Sequence, residues 1–155
     1  MQSRKAFWII IMRHSDVPIY NCVICRDTIP NVNMNEVDII YNRFGKPIYR
    51  LFDNGRIVDF SGRSFGFLQG NSLYNYQGRH IGWYSNGIVR DHSGNVVGFG
   101  EVVTDSIHPF LPFKQFKPFA GFVQFEPFRP FLQFEPFRPF KSYLWSGVEL
   151  ENLFN

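Results

Sequence analysis

The residues of this 155-residue chain that could do chemistry are two cysteines, four histidines and a scatter of carboxylates. Their spacing decides what chemistry is open to them. Cys22 and Cys25 form a single C-x-x-C, half of a zinc site or a redox dithiol, with only His14 nearby and no second cysteine pair. A tetrahedral site within the chain therefore lacks ligands, and the pair reads as two thiols in a segment outside the folded part. Asp59 and Asp91 would suit general acid–base work if they faced each other. They fill the same slot as Asn42 and Asn75, however, and an amide cannot take up or release a proton in that role, so the slot serves hydrogen bonding. His92 stands where the equivalent units have Arg43, Phe60 and Tyr76, which marks a surface turn position. No phosphate loop, Ser-His-Asp context or paired metal-ligand motif is present. The expectation is a chain with no catalytic residue, no metal and no cofactor.

The elements that hold these residues repeat. Between Ile40 and Gly100 there are four copies of one unit, centred on Asn42-Arg-Phe-Gly45, Asp59-Phe-Ser-Gly62, Asn75-Tyr-Gln-Gly78 and Asp91-His-Ser-Gly94. In each, the Asn or Asp side chain can accept hydrogen bonds from the turn's own backbone, while the glycine takes the left-handed position that closes a hairpin. Apolar and aromatic residues flank every turn, as Ile57 and Val58 precede the second and Phe65 and Phe67 follow it. A second set of turns, Asp53-Asn54-Gly55, Gln69-Gly70-Asn71 and Ser85-Asn86-Gly87, joins one unit to the next. The pattern predicts an all-β domain over residues 34–107, of four short hairpins arranged radially like a flower. A single hairpin of this size cannot bury an apolar face, whereas four around a common centre can, and closure also protects the edges. Gly66, Gly82 and Gly98 recur four residues after the turn glycine, as expected of strands crowding an axis.

Beyond the hairpins the period changes to three. Phe110, Phe113, Phe116, Phe119, Phe122, Phe125, Phe128, Phe131, Phe134, Phe137 and Phe140 follow one another at every third position. Prolines fill many of the third places, so three residues per turn without an internal hydrogen-bond ladder points to a polyproline II-like tail, residues 108–146. A 3₁₀ helix shares the period but tolerates neither the missing donors nor the length. A solenoid with one nine-residue rung per turn also fits, because Gln115, Gln124 and Gln133 begin three nine-residue copies; disorder fits the prolines but not the phenylalanines. The tail has a Phe edge, a Pro/Gln edge and a mixed edge, and the Phe edge is the one that calls for burial, against the rest of the chain, a second copy or a partner. Ala120-Gly121 interrupts the proline-rich run and offers a place to reverse it. Residues 147–155 close the chain.

The hairpin span, including the stretch Leu73-Tyr-Asn-Tyr-Gln-Gly-Arg-His-Ile-Gly-Trp-Tyr-Ser-Asn-Gly87, resembles the bacterial four-fold beta flower family. The triplet tail ending near Ser142-Tyr-Leu-Trp145-Ser146 is similar too. The resemblance implies a fold and no activity. This tail departs from its relatives in using Phe where Leu, Val or Ile are common, and Glu126 and Glu135 where basic residues are usual. The likeness begins near Met34, so residues 1–33 are expected to be a non-domain N-terminal extension.

Composition bounds the rest. With 45% apolar and 19% charged residues, the chain can build one domain with a core and an appendage. The net charge of +3 is too small to imply a nucleic-acid partner. The apolar run Ala6–Met12 is too short to span a bilayer and lacks a clear cleavage site, which gives an expected cytoplasmic location. The function expected is a non-catalytic structural or protein-interaction module that associates with itself or a protein partner through the Phe-lined tail. The alternatives are an amphipathic membrane-associating protein, with Lys114, Lys117, Arg129, Arg138 and Lys141 beside the Phe edge, and a β domain that binds or transforms a small ligand.

Overall fold

Each Asn/Asp-x-x-Gly turn is built by one side-chain atom. Asn42 Oδ1 accepts the backbone N–H of Phe44 and of Lys46, both at 3.0 Å. Asp59 does the same for Ser61 and Arg63 at 2.9 Å, Asn75 for Gln77 and Arg79 at 3.1 and 3.0 Å, and Asp91 for Ser93 and Asn95 at 2.8 and 3.0 Å. Because Oδ1 is common to both side chains, Asn and Asp interchange. The second atom distinguishes them: Asn42 Nδ2 donates to Glu151 at 2.8 Å, whereas Asp91 Oδ2 accepts from Ser146 Oγ at 2.6 Å. Gly45, Gly62, Gly78 and Gly94 close the turns with φ of 76°, 96°, 83° and 82°.

The turns join strands of a computed structural model that describes residues 34–155. The strands are β1 (Glu36–Tyr41), β2 (Pro47–Phe52), β3 (Arg56–Asp59), β4 (Ser64–Gln69), β5 (Ser72–Asn75), β6 (His80–Ser85), β7 (Ile88–Arg90) and β8 (Val96–Phe99). All neighbours are antiparallel, and β8 returns to β1 through Tyr41 opposite Phe99, so the protein is all-β with eight strands closing into a barrel. A register shift recurs in each hairpin, at Ile40/Tyr41, Ile57/Val58, Leu73/Tyr74 and Val89/Arg90. Such bulges bend a strand and add twist, here at the same point of all four units. Cys22, Cys25, His14 and the apolar run near the start lie outside the described residues.

Inside the barrel, Ile40, Ile57, Leu73 and Val89 form one ring of side chains, one from each unit. The core is completed from an unexpected place. A 3₁₀ turn, Leu150–Asn152, carries Leu150, Leu153 and Phe154 into it. The Phe154 ring meets Tyr49 edge-on at 5.3 Å between centroids and lies against Gly66. The axial glycines are therefore crowded, but by this plug as well as by strands: a side chain at Gly66 would collide with Phe154, and one at Gly98 would meet Leu150 and the Tyr41 carbonyl.

From Pro109 to Phe140 the chain has no helix or strand. It does not stack on itself as a solenoid, does not form a 3₁₀ helix, and does not reverse at Ala120-Gly121. It circles the barrel. The N–H groups of Gln115, Gln124, Gln133 and Ser142 donate to the carbonyls of Gly45, Gly62, Gly78 and Gly94 at 2.8, 2.8, 2.8 and 3.0 Å. Nine residues of belt thus match one hairpin of barrel, which is why the belt's nine-residue copies and the barrel's units share one chain. Gly62→Ala should cost well over 1 kcal/mol, because Ala is strained at positive φ and its Cβ would fall on the Phe122 carbonyl. Urea denaturation of that variant checks the expectation.

Candidate interaction surface

The mixed edge of the belt faces the barrel, and it varies because the barrel varies. Arg50, Phe67, Trp83 and Phe99 occupy equivalent places, five residues after the four turn glycines. Over Phe67 lies the Arg129 guanidinium at 4.6 Å, and over Trp83 that of Arg138 at 5.9 Å. Where the barrel itself supplies Arg50, the corresponding belt residue is Ala120, and Arg50 turns to Glu36 at 2.7 Å and to the Gly121 carbonyl at 3.5 Å. Phe99 meets the Trp145 ring at 6.4 Å between centroids, and Leu111 packs on the cluster that holds Phe99. Each cation–aromatic pair contributes about 0.5–1 kcal/mol at an exposed site.

The two unusual acids have partners in the barrel. Glu126 accepts from Tyr76 Oη at 3.1 Å and from Arg129 at 2.7 Å. Glu135 accepts from Trp83 Nε1 at 2.6 Å, and this bond, with the Arg138 charge, holds its carboxyl below the usual range. Lys117 reverses the polarity one copy earlier, meeting Glu101 at 2.5 Å and lowering that carboxyl in turn.

The sequence reading called for burial of the Phe edge against the rest of the chain, a second copy or a partner, and the first of these does not hold: its own barrel leaves the edge uncovered. All eleven phenylalanines are between 89% and 102% exposed. The reason lies in the uniformity of that edge. Four barrel quarters that present Arg, Phe, Trp and Phe cannot all be met by one repeated side chain, so the invariant edge is the one left facing outward. Tyr143 continues the series three residues after Phe140 and is 62% exposed.

The belt's ends meet at one buried arginine that the sequence reading missed. Arg90, 6% exposed, donates to the carbonyls of Gly94 at 2.8 Å, Ser142 at 2.9 Å and Ile107. Its guanidinium is also 3.5 Å from Asp105, which Lys141 reaches at 2.8 Å. Arg56 plays a similar part at the second hairpin, donating to the Gln124 carbonyl and to Ser64. In the sequence each is a single arginine within a short strand, Arg56 in β3 and Arg90 in β7, and only the fold shows what it pairs with.

The residues with catalytic potential are committed elsewhere. Asp59 and Asp91 spend Oδ1 on their turns, as do Asn42 and Asn75. His92 stays on its turn, but its Nε2 lies 2.9 Å from Nδ1 of buried His80, beside Trp83. Burial, followed by the facing His92, pushes His80 below the ordinary histidine range. Among the described residues, no three His, Cys, Asp or Glu side chains are grouped to hold a metal, and no helix is long and apolar enough to cross a membrane.

Eight strands in four equivalent hairpins, with a docked triplet belt, agree with a family model that matches the chain, described as 4-fold beta flower protein and covering residues 38–154. The chain belongs to the 4-fold beta flower protein family. The match takes in the barrel, the belt and the C-terminal plug alike. No curated protein and no solved structure matches the chain.

Proposed function

We propose that this beta flower protein is a non-catalytic interaction module that associates with further copies of itself through its belt, held in polyproline II conformation. The observation that carries the reading is the exposure of all eleven Phe rings on a backbone otherwise fixed to the barrel. At about 150–250 Å² per aromatic side chain, the edge presents roughly 2,000 Å² of apolar surface. Monomeric soluble proteins rarely expose more than about 300–600 Å² in one patch, and larger patches mark interaction sites.

Two observations favour a protein partner over the alternatives. Lys114, Lys117, Arg129, Arg138 and Lys141, the cations that would draw the Phe edge to an anionic membrane, are engaged with Glu101, Glu126, Glu135, Asp105 or aromatic faces of the barrel. The aspartates of an acid–base reading are engaged in turns. Replacing all eleven belt phenylalanines together by Ser should abolish association. It should leave the circular dichroism spectrum unchanged, since these rings are almost wholly exposed. Sedimentation velocity decides: a variant whose mass matches an associated parent would show that the Phe edge is not the surface.

A further inference from the structure

We infer that association is lateral and open-ended, each copy contacting several neighbours through separate quarters of the belt instead of closing into one dimer. This rests on the reading just proposed. The belt advances one hairpin per nine residues, at Gly45, Gly62, Gly78 and Gly94 in turn, so its outer edge faces all four sides of a closed barrel. A circuit of 36 residues at about 3.1 Å each is roughly 110 Å around and about 35 Å across. One neighbour laid against so convex a rim reaches about a quarter of it, three rings, and leaves the others bare.

The occupant that fits such a quarter is a second copy. Successive rings stand about 9.3 Å apart along a polyproline II edge. A ring interleaved midway lies about 4.7 Å from each, inside the range of about 4.5–7 Å that aromatic pairs prefer. Filling every gap needs a partner with the same period, and the belt of another copy has it. Two quarters, residues 124–131 and 133–140, are identical in sequence, so at least two sides offer the same face. Three rings from each side bury on the order of 1,200 Å² in total, the low end of specific interfaces. Each contact is individually weak, and the assembly grows with concentration. Interfaces that do not close on themselves extend in this way.

The test follows the mass of the full chain across a wide concentration range, alongside two variants. In one, Phe134→Ser, Phe137→Ser and Phe140→Ser remove a single quarter. In the other, those three rings are kept, and Phe110, Phe113, Phe116, Phe119, Phe122, Phe125, Phe128, Phe131 and Tyr143 become Ser. The parent should pass beyond dimer, the first variant should still do so, and the second should stop at dimer. A parent that halts at dimer at every concentration overturns the inference and leaves self-association standing. A parent that stays monomeric, or that floats with liposomes as a monomer, overturns both. Should the many-site variant lose its circular dichroism, the concentration dependence of the parent alone still decides.

Discussion

Phe154→Ala should destabilise the barrel by about 3–5 kcal/mol and Leu150→Ala by about 2–5 kcal/mol, the range for emptying a filled core position. Both side chains are buried, at 6% and 1% exposure, in the cluster that holds Ile40, Leu73 and Val89. The barrel cannot close the gap by collapse. Gly66, Gly82 and Gly98 present no side chain where three of the four units could have supplied one, and Phe154 stands against the first of them. Small domains are stable by about 5–15 kcal/mol, so the double variant should be largely unfolded at room temperature. Guanidinium titration followed by tryptophan fluorescence measures it. If both variants melt with the parent, the core is complete without the plug.

The plug is also where the sequence was least legible. The hairpins announce themselves because a turn needs particular chemistry: a side-chain oxygen to cap two N–H groups and a glycine at positive φ. Four copies at nearly constant spacing leave little freedom. The path of the belt was half visible. Its nine-residue period is plain, but its match to the hairpins exists only in space, as four backbone bonds to four glycine carbonyls. Exposure of the Phe edge ran against the rule that apolar residues go inside. What was available, and overlooked, is variation: Lys117, Ala120, Glu126, Arg129, Glu135 and Arg138 change along the mixed edge in step with Glu101, Arg50, Tyr76, Phe67 and Trp83. A nine-residue segment with two leucines and a phenylalanine carries no period at all, so nothing in residues 147–155 distinguishes a core plug from a loose end.

Arg90→Met should release the ends of the belt while the hairpins persist. The guanidinium satisfies the carbonyls of Gly94, Ser142 and Ile107 from a site almost closed to water, and methionine offers none of those bonds. It also leaves Asp105 with Lys141 as its one remaining cation. Leaving a buried carbonyl without its donor costs about 1–3 kcal/mol. Arg90→Lys should rescue little, since one ammonium cannot fork to oxygens on three segments. Because the penalty falls on the clasp, the first event should be local opening, read as faster hydrogen exchange at Gln115, Gln124, Gln133 and Ser142. Acid should imitate the substitution. Burial alone would raise the Asp105 carboxyl, but the Lys141 hydrogen bond, the Ile107 N–H and the Arg90 charge outweigh it and hold it below the ordinary range. A carboxylate depressed in the folded state adds stability above its unfolded pKa and loses it as pH falls through the folded value. Exchange at the four belt amides, corrected for intrinsic rates, should therefore accelerate below about pH 4 in the parent and much less so in Asp105→Asn. Equal acid sensitivity in the two proteins would place the titrating group elsewhere.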